Sequence, residues 1–146
     1  MSVEQPSIEE IIEGFELLDD WEDRYRYLID LGKHVQGLSE EEKTEEHRIH
    51  GCTSRVWLIS ELDGEGAEVK LRFRGDSDAH IVKGLVSVVL SAYSDLTPAQ
   101  ALEVDIEALF KKLGLESNLS VSRRNGFFAM IERVKSVARE ASSSPA

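Results

Sequence analysis

The sequence predicts an α+β domain, a small antiparallel sheet of about three strands packed with helices. Three observations lead there. Residues 56–61 and 69–74 alternate along their length, and Asp63-Gly64-Glu65-Gly66 between them carries turn chemistry, so the pair reads as a β-hairpin. Helical periodicity fills most of the remaining chain. A two-stranded ribbon is marginal alone, so a third strand or covering helices must complete it; the segment around His47 to Ile49 is the candidate strand. With 146 residues and no repeat or linker, one domain over 1–146 is expected, its core at about 7–140 and residues 141–146 a flexible tail.

Each element has a local reason. Ser7-Ile8-Glu9-Glu10 has the form of a capping box, and Ile8, Ile11, Ile12 and Phe15 follow at helical spacing, which sets a first helix at about 7–18. Asp19-Asp20 offers the next N-cap. Trp21, Tyr25, Leu28 and Leu31 share one face of a second helix, which Gly32 is expected to end near residue 33. Residues 36–51 change character: they are densely charged with little apolar periodicity, and read as a solvated loop or short exposed helix. The first hairpin strand is apolar at Val56 and Leu58 and also at Trp57 and Ile59, so both its faces are expected to be covered.

Gly75-Asp76-Ser77-Asp78 is expected to break the second strand, with Ser77 or Asp78 capping a helix from Ala79. Val86, Val88 and Val89 favour strands, but spacing favours a helix. Ile81, Leu85, Val88, Val89 and Ala92 line one side, while Gly84, Ser87 and Ser91 form a strip of small residues that admits a close neighbour. Thr97-Pro98-Ala99-Gln100 opens another helix with an N-cap, a proline in the first position and a capping-box glutamine. Asp105 starts a short helix over 105–113 with Gly114 beyond it, and Phe127, Met130, Ile131, Val134, Val137 and Ala138 mark a long C-terminal helix.

Composition excludes several functions. Lys plus Arg is 17 against 28 Asp plus Glu, a net charge of -11, and no long basic stretch is present, so a nucleic-acid partner is not expected. The apolar run over residues 81–93 is too short and interrupted to span a membrane. MSVEQPSIEE is acidic and has no apolar core, unlike a secretory signal or a basic transit peptide. The one cysteine cannot form an internal disulfide, which argues for a reducing compartment, the cytoplasm.

That cysteine, Cys52 in RIHGCTSRVW, is where the chemistry lies. A free cysteine is commonly a small buried hydrophobe. Cys52, however, sits beside Gly51 between a polar segment and a strand, rather than inside an apolar run. A nucleophilic or sulfur-carrying thiol needs such an approachable position and a thiolate. At an ordinary pKa only about 3% is ionised at pH 7, and nearby cations raise that share. Arg48 and Arg55 are near in sequence, and Arg123-Arg124 could arrive from the C-terminal region. His47, His50 and Cys52 could also hold zinc, with His34, His80, Asp76 or Asp78 as a fourth ligand, but they lack paired knuckles. A Cys–His hydrolase with His50 as base lacks an identifiable orienting group and oxyanion hole. Asp76 and Asp78 read first as helix caps and second as an acidic rim near the thiol. Arg123 and Arg124 at a helix start oppose its dipole, which suggests an acidic partner.

Four segments resemble the SufE family of sulfur acceptors, which includes CsdE-type members. HGCTSRVW is similar to the family's cysteine motif, GDSDAHIVKGL to its second signature, SRRNGF to its C-terminal one, and DWEDRY to its second-helix sequence, in the family's order, over roughly residues 7–140. The resemblance implies a fold shared with IscU-type scaffolds. It also implies a sulfurtransferase-like accessory role. The protein would take persulfide sulfur from a SufS-like cysteine desulfurase, stimulate that enzyme, and pass the sulfur on for iron–sulfur cluster assembly, with a SufBCD-type scaffold as a possible receiver. By position, Cys52 is the acceptor, Gly51 and Ser54 belong to its loop, and Asp76 and Arg123 match positions associated with that loop and the partner contact. The resemblance implies no cofactor on this chain, because pyridoxal phosphate resides on the desulfurase. It implies no metal either, since IscU-type and zinc-binding SufU relatives need three cysteines. Thr53 departs from common members, where Gln is frequent, and Arg55 stands in place of Gln or another residue. The alternative reading is a stand-alone cysteine-dependent thiol enzyme.

Overall fold

The computed structural model describes residues 7–50, 54–64 and 69–143. Helix α1 (Ile8–Glu16) starts at Ser7, whose hydroxyl accepts the Glu10 amide, and α2 (Trp21–Lys33) starts at Asp20, whose carboxylate accepts the Glu22 amide. Three strands follow: β1 (Arg48–Ile49), β2 (Val56–Asp63) and β3 (Lys70–Ser77), antiparallel in the order β1-β2-β3. The expected third strand is therefore β1. Of the expected hairpin turn, Glu65 and Gly66 lie outside the described residues. β3 does not break at Gly75. It runs through Ser77 because β2 supplies a partner at each step: Leu58 for Gly75, Trp57 for Asp76 and Val56 for Ser77.

Five helices complete the described chain: α3 (His80–Tyr93), α4 (Pro98–Glu103), α5 (Ile106–Lys112), α6 (Leu115–Asn118) and α7 (Val121–Ser143). The capping box at Thr97 and Gln100 is present, and Asp105 caps α5. The four-residue α6 has no apolar period of its own in the sequence. Neither Ser77 nor Asp78 is the N-cap of α3. That position is Ala79, which has no side-chain cap; Ser77 Oγ instead accepts the Ala79 amide one step earlier. Among the described residues, no helix is long and apolar enough to cross a membrane.

α3 is the central element, packed on β3, α2 and α7 and buried over most of its length. At Gly84 the strip of small residues admits the close neighbour its spacing implied. A Cβ on Gly84 would run into the backbone carbonyl of Leu28, and one on Gly32 would stand 2.8 Å from the Gly84 nitrogen. Gly32 thus serves the crossing of α2 and α3 rather than ending α2, which continues to Lys33 and closes on a right-handed His34. Gly84→Ala is expected to destabilise the domain by about 2 kcal/mol, because the overlap outweighs alanine's better helix propensity. Chemical denaturation of the two proteins measures it, and equal midpoints would reject the close-crossing account.

The sheet has two different faces. Paired residues point the same way, so Leu58, Leu71 and Phe73 join the helical core, while Trp57 and Asp76 face the opposite side. The expectation that both faces of β2 are covered holds: Trp57 and Ile59 are buried there too.

Candidate functional site

The cover over that second face is the charged segment after α2. It is irregular and mostly exposed, as expected, but it is strapped to the sheet at several points. Lys43 Nζ stands 5.2 Å from the centre of the Trp57 ring. Glu42 Oε2 lies 2.7 Å from Arg74 Nη2, and that bond holds the Glu42 carboxyl below its ordinary pKa.

Asp76 is the hub of the strap. It is 6% exposed, and its Oδ2 accepts the Leu38 amide at 3.0 Å while Oδ1 accepts the Ser77 amide at 2.8 Å. Lys43 Nζ is 3.5 Å from Oδ2 and Lys83 Nζ, from the first turn of α3, 3.3 Å from Oδ1. Burial pushes the carboxyl pKa up, but the two amides and Lys83 outweigh it and hold the group below its ordinary value. The chain reaches Asp76 through Gly37 at φ 77°, where a Cβ would stand 2.9 Å from Oδ2. Asp76 is therefore no helix cap: it fastens the strap to β3 and α3.

Asp78 and Ser77 have a separate task. Asp78 Oδ1 accepts the Arg55 amide at 3.0 Å, the Arg55 carbonyl accepts the Asp78 amide at 3.2 Å, and Ser77 Oγ donates to that carbonyl at 2.7 Å. Arg55 lies three residues after Cys52, so the GDSD segment clasps the downstream root of the β1–β2 connection. Upstream, Ile49 pairs with Val56, and the Leu58 amide donates to the His47 carbonyl at 2.9 Å. Gly51 and Cys52, with Thr53, lie outside the described residues; Ser54 is half-buried just before β2. Asp78→Ala is expected to cost about 1 kcal/mol, and to speed exchange of the Arg55 amide about fivefold. Hydrogen-exchange NMR checks it; unchanged exchange at Arg55 would remove the clasp.

The other candidates are placed as follows. His47 Nδ1 lies 2.9 Å from the Glu42 carbonyl oxygen and 3.2 Å from Thr44 Oγ1, and His50 Nε2 lies 2.8 Å from Glu45 Oε1. Among the described residues no three His, Asp or Glu side chains form a group that could hold a metal ion. Arg123 is half-buried in the first turn of α7, its amide donating to Ser120 Oγ at 3.2 Å. Among the described residues it has no hydrogen bond or ion pair with Asp76 or Ser54. The structure brings Asp76 and the downstream end of the cysteine connection onto neighbouring strands, and leaves Arg123 on a separate helix. Sequence reasoning missed Lys43, Lys83 and Arg74 as the partners that hold the strap. Lys43 carried a signal, as the only cation in residues 39–46.

An α+β domain of this topology has a solved counterpart. The solution structure of a hypothetical protein from Thermus thermophilus matches with a TM-score of 0.70 at 22% identity, covering 96% of this chain and 98% of that one. The family is fixed by sequence. The model of the SufE family, described as an Fe-S metabolism associated domain, matches residues 9–138. A protein of Rhizobium etli described as an uncharacterized SufE-like protein is 45% identical over 133 residues, covering 91% of this chain and 90% of its own. A second, from Rhizobium meliloti, is 44% identical over 132 residues, covering 90% and 94%. The chain belongs to the SufE family, and its domain is associated with iron–sulfur metabolism.

Proposed function

We propose that the protein is a sulfur acceptor and carrier. It takes persulfide sulfur from a SufS-like cysteine desulfurase onto Cys52, stimulates that desulfurase, and hands the sulfur on for cluster assembly, with a SufBCD-type scaffold as receiver. The observation that supports this reading is the clasp of Ser77 and Asp78 on Arg55. It ties the backbone of Arg55, three residues after the one cysteine, to the end of β3. Family membership supplies the metabolic setting. Gly51 and Ser54 belong to the presenting loop, Asp76 secures the neighbouring strap, and Arg123 offers a cation to the partner. The protein works in the cytoplasm, where its thiol stays reduced.

The transfer is a thiol–persulfide exchange. Cys52 thiolate attacks the terminal sulfur of the donor's cysteine persulfide; a new S–S bond forms at Cys52, the donor's S–S bond breaks, and the donor cysteine leaves as thiolate. The proton lost by Cys52 is regained by the departing thiolate through solvent. No net oxidation occurs, and pyridoxal phosphate is needed only on the donor that made the persulfide.

Intact-mass measurement after incubation with a SufS-like desulfurase, cysteine and pyridoxal phosphate tests the proposal. Increments of about 32 Da on Cys52, removed by a reductant, are expected. A turning-over desulfurase that leaves the mass unchanged would sink it. One observation favours a second reading, a stand-alone thiol enzyme: the Glu45 carboxylate orients His50, two residues from Cys52. Both side chains are exposed, at 75% and 68%, where water competes for the pair. Turnover of another substrate without sulfur uptake would choose that reading.

A further inference from the structure

β1 is the edge of the sheet, and a strand edge presents unpaired carbonyls. Alternation assigns them. The His47 carbonyl points to β2, where it accepts the Leu58 amide, so the next carbonyl, that of Arg48, points away, and the Glu46 carbonyl belongs to the turn just before β1. Both meet the same side chain. Arg133, half-buried on α7, donates through Nη1 to the Glu46 carbonyl at 3.4 Å and through Nη2 to the Arg48 carbonyl at 3.3 Å. Each bond is long and weak alone. Charge, and the two-pronged geometry of one guanidinium on two carbonyls, make the grip.

We infer that Arg133 is a positioning residue for sulfur transfer: it stands in for a missing fourth strand and fixes the upstream root of the connection that carries the cysteine. The functional half of this inference rests on the carrier reading above. β1 has only two residues, too few to hold its place by pairing alone. With Asp78 and Ser77 on the downstream side and Arg133 on the upstream side, the connection is held at both ends by different elements, β3 and α7. If β1 came free, the described residues 46–49 would have to be ordered again at every docking event, at a cost in chain entropy. Arg133 acts through the backbone of residues 46–48.

Two readouts on the full chain test it, on wild type, Arg133→Ala and Arg133→Lys. Arg139→Ala, an exposed change on the same helix, serves as control. Hydrogen-exchange NMR should show the Leu58 amide exchanging about tenfold faster in Arg133→Ala, with the β2–β3 ladder unchanged. Transfer assays with the desulfurase should show the half-saturating donor concentration rising about fivefold while the saturated rate stays within about twofold. Arg133→Lys, which can reach one carbonyl, should recover part of both effects, and Arg139→Ala should match wild type. Wild-type exchange at Leu58 in Arg133→Ala would overturn the grip. Faster exchange with an unchanged donor requirement would overturn the positioning role. If the wild type takes up no sulfur the carrier reading falls, yet Leu58 exchange still decides whether Arg133 holds β1.

Discussion

Cys52→Ser is expected to lower sulfur uptake below about 1% of wild type, with no persulfide increment in the intact mass. The substitution replaces one atom, and in the proposed transfer that atom is the reagent. A thiol at its ordinary pKa supplies a few per cent thiolate at neutral pH; a serine hydroxyl, ionising many units higher, supplies essentially none. Oxygen also cannot take the place of sulfur in a persulfide S–S bond, so no slow residual transfer replaces the fast one. The donor's cysteine turnover in the variant's presence should match the donor alone. A variant that still gained reducible sulfur would remove the assignment. Circular dichroism and thermal unfolding alongside it separate lost chemistry from lost structure.

Asp76→Ala is expected to cost about 3 kcal/mol at neutral pH, a fall of about 10 °C in the unfolding midpoint. The cost has named sources. The amides of Leu38 and Ser77 lose their acceptor, and Lys43 and Lys83 lose the anion between them. Lys43 keeps only the exposed Glu40 and the Trp57 ring, and Lys83 keeps no ion pair among the described residues. Asp76→Asn keeps one oxygen acceptor and should cost roughly half as much. The pH dependence has a definite sign. The native carboxyl titrates below its ordinary value of 3.8, so the unfolded chain binds the proton more readily. The contribution is full well above 3.8 and fades as pH falls through the lowered native value. The gap between wild type and Asp76→Ala should therefore hold from neutral pH to about 5 and narrow below about 4. Denaturation at several pH values measures it, and a gap that widens on acidification would contradict the hub.

Local signals in the chain were enough for most elements. The caps at Ser7, Asp20, Thr97 and Asp105 stand where side-chain chemistry put them, because a cap depends on residues only a few positions apart. The strip on α3 was legible because missing side chains at helical spacing have one common use, a close neighbour. Gly75–Asp78 was misread as a strand end. Its turn-like composition is local, whereas the ladder continuing to Ser77 is supplied by β2 from elsewhere in the chain. Similarly, residues 36–48 look solvated when only their own charge density is counted. Their tethers, Asp76, Arg74, Trp57 and Arg133, come from three other elements.

The sequence by itself determined the α+β class, the helix starts, the single thiol and the likeness to sulfur acceptors, since each rests on residue type and short-range spacing. Only the tertiary structure decided that Asp76 secures the strap while Asp78 clasps the cysteine connection, and that Arg133 closes the sheet edge. Two carboxylates two residues apart would share one face on a continuing strand, but β3 ends at Ser77 and Asp78 lies beyond it, so which amide or cation each one meets is a matter of packing between distant segments.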